Sequence, residues 1–217
     1  MGDSSCELAY DAAYAEDALE LASEARKKEI RRAEEGPLER LVEGKVFSAE
    51  CADFRTGIEA LAEVYKGLGA GGKRDALLDR AIAYLERKAA DVGEDRNRDD
   101  NLRFFLELRG SSEKLKELFP RLIAAYPSDY VYSQRFAKYL AEKGEFAAAL
   151  PWSEKAERLC YGANRLAVTK VKAKILAGLG RKDEALAILK RDIKAGGKAF
   201  AKDAAGLEAL LKELSSP

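Results

Sequence analysis

The chain has 217 residues, enough for one large domain or two small ones, and at 47% hydrophobic and 35% charged, with only five prolines, it fits a helical protein with a core better than a disordered one. Its 38 Lys and Arg are balanced by 38 Asp and Glu, so no overall field gathers nucleic acid or an anionic membrane. Histidine is absent, which removes the commonest general base and the commonest zinc ligand together.

The opening Met-Gly-Asp-Ser-Ser-Cys lacks the basic and apolar segments of a signal peptide. It also misses the myristoylation pattern, because Cys6 stands where Ser or Thr is needed. No apolar run approaches the roughly 18 residues of a membrane span. The default compartment is the cytoplasm, with the periplasm as the alternative had a signal sequence been removed. The three cysteines, Cys6, Cys51 and Cys160, form no CxxC and are an odd number, so the reading is buried or incidental thiols. A Cys6–Cys51 bridge is reserved for an oxidising compartment.

In chain order, Ala15, Ala18, Leu19, Ala22 and Ala25 share one face of a long helix over residues 6–35, which Gly36-Pro37 ends. Residues 38–47 read as a short helix or irregular link, and Ser48 caps a helix running toward Leu68. A periodicity then emerges. Gly72, Gly110, Gly144 and Gly180 follow apolar helical stretches at spacings of 38, 34 and 36 residues. Four residues before each stands Leu68, Leu106, Leu140 or Leu176; five after stands Leu77, Leu115, Ala149 or Ala185. Glycine closes a helix in the left-handed conformation, and Ser112 and Asp183 are placed to cap the helix that follows. Those second helices are amphipathic, as Leu115, Leu118, Phe119 and Leu122 illustrate. Each repeat thus reads as helix, tight turn, helix, and one such hairpin must stack on neighbours to bury its apolar face. After Gly196-Gly197, Asp203 opens a last helix with Leu207, Leu210 and Leu211 inward, covering the terminal repeat.

Gly144-Glu145-Phe146-Ala147-Ala148-Ala149-Leu150, with Ala137 and Leu140 before it and Ala156 after it, resembles a tetratricopeptide (TPR) repeat over residues 130–163. Residues 166–199 resemble it through Ala173, Leu176, Gly180, Ala185 and Leu186, with Asp192 in place of the second-helix alanine. Residues 96–129 depart further, with Arg103 at the small position, and residues 58–95 keep Leu61, Tyr65, Leu68 and Gly72 in register. The resemblance implies an all-α fold, a right-handed α-α superhelix of TPR-like helical hairpins with a C-terminal capping helix. The expected layout is an N-terminal helical segment over 1–57, about four repeats over 58–199, and the cap over 200–217, as one continuous domain.

The chemistry-bearing constellations are weak. The stretch Glu94–Asp100 is rich in carboxylates, but it lacks the glycine and terminal Glu of an EF-hand loop and holds two arginines. Gly69–Arg74 has neither the GxxxxGK[ST] pattern nor a preceding strand. No histidine activates a Ser or Cys nucleophile. The crowded aromatics from Tyr126 to Tyr161, Trp152 included, read as packing between hairpins. Neither an enzyme nor a cofactor is expected.

In the TPR family the first helices line a concave face, and repeat positions two, five, nine and twelve point into it. Carried over, these are Val131, Gln134, Lys138 and Ala141 in one repeat and Ala167, Lys170, Lys174 and Ala177 in the next. Residues 96–129 offer Asn97, Asp100, Phe104 and Glu107. The resemblance therefore implies a peptide-binding face of Gln134, Lys138, Lys170 and Lys174, with Asn97 and Phe104 beyond. Its lysines suit an acidic segment or a C-terminal carboxylate. Arg135, Asn164 and Arg165 are candidate orienting donors at the rim. The expectation is an adaptor or scaffold for a protein or peptide partner, without nucleic-acid binding or membrane insertion. The alternatives are an assembly subunit that self-associates, through an apolar patch on residues 10–47, and an accessory domain of a thiol-redox protein.

Overall fold

The computed structural model describes residues 19, 22–47, 54–91, 95–196 and 198–216. The expectations for Cys6, Ala15, Ala18, Ser48, Cys51 and Glu94 lie outside them. The described residues form α-helices and no β-strand: α1 (Glu24–Leu41), a π-helical turn (Val42–Val46), α2 (Phe54–Gly67), α3 (Gly71–Asp91), α4 (Arg96–Arg109), α5 (Ser112–Ala125), α6 (Tyr130–Glu142), α7 (Phe146–Leu159), α8 (Asn164–Gly178), α9 (Lys182–Gly196) and α10 (Ala201–Ser215). The chain is all-α and built of TPR-like helical hairpins. It falls into two compact units, Met1–Lys116 and Glu117–Pro217.

The hairpin turns share one hydrogen-bond pattern. The amide after each turn glycine donates to the carbonyl five residues back: Ala70 to Tyr65 at 2.8 Å, and Ser111 to Leu106, Glu145 to Leu140 and Arg181 to Leu176 at 2.9 Å. The glycine's own amide donates to the carbonyl three back, at 2.9–3.1 Å. This is the Schellman closure, which uses carbonyls a helix end would otherwise leave unpaired, and it needs a left-handed residue at the turn. The backbone φ is +73° at Gly69, +77° at Gly110 and +76° at Gly144 and Gly180. Three of the four glycines read from the sequence therefore hold. The fourth does not: Gly69 makes the first turn, whereas Gly72 lies inside the first turn of α3. The apolar residue four before the turn is correspondingly Tyr65, not Leu68.

Other boundaries also shift. α1 begins at Glu24, with the Ser23 hydroxyl accepting from the Arg26 amide, so a helix unbroken from 6 to 35 is not formed and Ala22 and Ala25 do not share a helical face. Nor do Gly36-Pro37 end it. The helix runs through Pro37 to Leu41 and on into the π turn, closed by the Phe47 amide on the Val42 carbonyl. An interior proline costs about 3 kcal/mol. Complete burial of Leu38, Val42 and Val46 offsets it, at about 1.5–3 kcal/mol for each large apolar side chain. Ser112 and Asp183 sit within the first turns of α5 and α9 rather than at their caps, while Asp95 caps α4 and Asp129 caps α6.

The N-terminal unit buries Ile58, Leu61 and Val64 of α2 with Leu78, Ala81, Ile82 and Leu85 of α3. Phe54 stacks on Tyr84 at 5.1 Å and meets Phe47 and Phe105 edge-on. In the C-terminal unit most of these aromatics pack between helices, but Tyr161 is 73% exposed, against the expectation for it. Phe136 stacks on Phe119 at 4.9 Å and meets Trp152 at 5.3 Å. α10 covers the last hairpin: its Ala204, Leu207 and Leu210 share a core with Leu166, Ala173 and Leu176 of α8 and Ala185 and Leu189 of α9. Leu211 is half-buried at the edge of that core.

The relocated turn is directly testable by chemical denaturation. Gly69→Ala is expected to destabilise by about 1–2 kcal/mol, because a Cβ disfavours the left-handed conformation. Gly72→Ala, in an exposed helical position with open space around it, is expected to stabilise by about 0.5–1 kcal/mol.

Candidate functional site

The first helices of the C-terminal unit, α6 and α8, have one face committed to the core. α6 buries Tyr132, Ser133, Phe136, Ala137, Tyr139 and Leu140, and α8 buries Leu166, Val168, Thr169, Ala173, Ile175 and Leu176. None of the eight register positions carried over from the TPR pattern is buried. Val131, Gln134 and Ala141 are partly exposed and Lys138 exposed on α6; Ala167 and Lys174 are exposed and Lys170 and Ala177 partly so on α8. Gln134 and Lys138 lie one turn apart on α6, as do Lys170 and Lys174 on α8, so each pair shares a face.

Lys138 and Lys170 have different surroundings, and Lys174 is exposed. Lys138 is 3.6 Å from Glu142 one turn on, and both are 63% exposed, a pair of little strength. Lys170 runs along α10 at Gly206, where an added Cβ would fall 3.2 Å from its ammonium nitrogen. The lysine chain is thus laid against the capping helix by a glycine that leaves room for it. Asn97 and Phe104 belong to α4 in the N-terminal unit. Asn97 is exposed in its first turn; Phe104 is half-buried, with the Arg55 guanidinium 3.6 Å from its ring centroid and Phe105 edge-on at 5.3 Å. On the same helix, Arg103 at the repeat's small position is buried and neutralised by Asp100 at 3.1 Å and Glu107 at 2.6 Å.

Beneath the exposed face of α8 lies a charge network that the residue pattern did not reveal. Asp192 of α9, at the position of the expected alanine, is 2% exposed. It accepts from the Thr169 hydroxyl and, at 2.6 Å, from Arg191, with Arg165 at 3.5 Å. Glu157 of α7 accepts from Lys172 at 2.6 Å and Arg191 at 2.9 Å. The network ties α7, α8 and α9 together on the side of α8 opposite to Lys170 and Lys174. Its only trace in the sequence was the departure from alanine at 192; Glu157, Lys172 and Arg191 carry no signal among so many charged residues. Arg165, read as a rim donor, joins this network.

Burial pushes the Asp192 carboxyl up, but hydrogen bonds from Arg191 and Thr169, with the charges of Arg191 and Arg165, outweigh it and hold the group below the ordinary carboxylate range. Glu157 behaves alike: desolvation opposes, and Lys172 and Arg191 prevail. Cys160 is half-buried, its thiol donates to the Glu157 carbonyl at 3.4 Å, and burial pushes it away from thiolate formation. That is a poor setting for the redox alternative, as far as this cysteine bears on it.

No protein-family model matches the chain, and no curated protein matches it. Among solved structures it is similar to one titled "MamA RS-1 ArsTM double mutant", at 13% identity, TM-score 0.48, over 72% of this chain and 97% of that one. A second, "MamA MSR-1 C2", has 20% identity and TM-score 0.47 over 85% and 94%.

Because both carboxyls are held down in the folded state, their stabilisation is complete above their unfolded values near pH 4 and is lost as the pH falls through the folded ones. Asp192→Asn is expected to lower stability by about 1–3 kcal/mol at pH 7. Its difference from wild type should narrow as the pH is taken to 3, measured by urea melts across that range; a gap independent of pH would contradict the assignment.

Proposed function

We propose that this chain is a protein-binding adaptor, not an enzyme, and that the open face of α6 and α8 receives an acidic extended segment. The observation that carries this reading is the exposure pattern: all eight register positions on the two first helices stay out of the core, and three of them are lysines. Lys138, Lys170 and Lys174 outnumber Glu142 on this face, and the flanking Ala141, Ala167 and Ala177 let a backbone approach closely. Hydrogen bonds from Gln134 would fix the segment's register. A face held rigid by the Asp192 network and by α10 loses little freedom on binding, which favours affinity. Asn97 and Phe104 are proposed separately, as contacts on α4 within the N-terminal unit, where the Arg55 guanidinium lies over the Phe104 ring.

Self-association through residues 10–47 has less behind it, since Leu38, Leu41, Val42 and Val46 of the described part are buried within the unit.

An array of acidic peptides, with the Lys138→Glu/Lys170→Glu/Lys174→Glu triple variant as control, tests the proposal. None of the three side chains belongs to the core, although Lys170 lies against Gly206 of α10, so circular dichroism and a thermal melt check that the variant stays folded. Binding is expected to weaken by tenfold or more, about 1.4 kcal/mol, and to fall with added salt. A folded variant that binds as wild type does would move recognition away from this face.

A further inference from the structure

The N-terminal unit contains an open pocket of about 260 Å3. Glu39 of α1 and Glu43 of the π turn form one wall, Lys73 and Arg80 of α3 the other, and Leu61 and Leu77 lie between them. Glu35, Glu39 and Glu43 recur every four residues, so they line one helical face.

This wall holds cations by one device used twice. The Lys73 ammonium donates to Glu35 at 2.7 Å and Glu39 at 3.1 Å, and lies 5.3 Å from the centroid of the Tyr65 ring. The Tyr65 hydroxyl in turn donates to Glu39 at 2.7 Å. Seven residues on, Arg80 bonds Glu43 and lies 4.0 Å from the Phe47 ring centroid. Each cation thus meets carboxylate and aromatic face together, a combination that favours organic cations over anions. Within the pocket Glu39 and Glu43 face Lys73 and Arg80, and Glu35 beside it adds a third carboxylate that shares the Lys73 ammonium with Glu39. Between the two rungs the surface is apolar, and Leu61 and Leu77 are buried beneath it.

We infer that this pocket binds a small organic cation, a primary ammonium on a short aliphatic stem, with the stem on Leu61 and Leu77 and the ammonium between Glu39 and Glu43. The space is below the roughly 300–1,000 Å3 of pockets for drug-sized ligands, so the occupant is small. An anion would have to draw Lys73 or Arg80 away from its carboxylate while facing the remaining negative charge. An ammonium instead replaces Lys73 on Glu39 or Arg80 on Glu43, and the displaced cation turns into water at little cost, because exposed ion pairs contribute only about 0–1 kcal/mol each. Lys73 is 55% and Arg80 47% exposed. The same chemistry is offered by a free alkylamine and by a lysine side chain of a partner.

Calorimetric titration of the full chain at low ionic strength, with n-pentylamine, pentanol, pentanoate and a terminally blocked lysine as probes, decides the matter. The ammonium probes are expected to bind, and pentanol and pentanoate are not. Glu43→Gln, at an exposed position, should weaken pentylamine binding about fivefold. Lys73→Gln should tighten it severalfold by releasing Glu35 and Glu39, a gain that damage to the fold would not produce. Tighter binding of the blocked lysine supports the pocket as a receptor for a partner's side chain; tighter binding of pentylamine supports a free amine. Binding of pentanoate in preference, no effect of Glu43→Gln, or failure of both ammonium probes on wild type and Lys73→Gln would overturn the inference.

Discussion

The helical hairpins depend on one hydrogen bond made four times among the described residues, from the amide after a left-handed glycine to the carbonyl five residues earlier. It ends the first helix, reverses the chain within three residues, and aims the second helix back along the first. Once that geometry recurs, residues about one repeat apart become neighbours. Glu39 and Lys73 are 34 residues apart in sequence, as are Glu157 and Arg191 and also Arg74 and the Leu108 carbonyl it bonds. Glu43–Arg80 and Glu86–Lys114 follow at 37 and 28. These pairs are individually weak, but they are consequences of the turn and report its period.

The repeat also tolerates charge where the TPR pattern wants a small residue, and the manner differs between sites. Arg103 finds its counter-charges on its own helix, at Asp100 and Glu107, so it needs no help from a neighbouring hairpin. Asp192 instead recruits Thr169 and Arg165 from α8 and its own neighbour Arg191, which also holds Glu157 of α7. The first arrangement neutralises a helix locally. The second fastens three helices, and it fixes the helix that carries Lys170 and Lys174. A buried charge with several donors is costly to break, whereas an alanine there would leave the fastening to apolar contact alone.

What the residues disclosed follows from how local the determining physics is. Gly110, Gly144 and Gly180 were legible because each is a single glycine between two amphipathic stretches. Around residue 70 four glycines crowd together, Gly67, Gly69, Gly71 and Gly72, and apolar spacing fits Leu68 and Tyr65 nearly alike; burial of Tyr65 decides the register, and burial is a tertiary quantity. Pro37 misled for the same reason, since its local cost is outweighed by Leu38, Val42 and Val46 packing elsewhere in the unit. The exposed lysine positions could be read from the repeat register, because register alone sets which side of a helix faces out. The Asp192 network could not, for its members are separated by up to 35 residues and each is one charge among 76.

A net charge of zero conceals this arrangement. The face of α6 and α8 carries more lysine than carboxylate, whereas α1 and the π turn present Glu35, Glu39 and Glu43 as a ladder that α3 only partly neutralises. With a Debye length of about 8 Å at physiological salt, each patch acts on what touches it and neither is cancelled by distant charge. Overall balance therefore argues against long-range capture of a polyanion, yet it leaves local recognition intact.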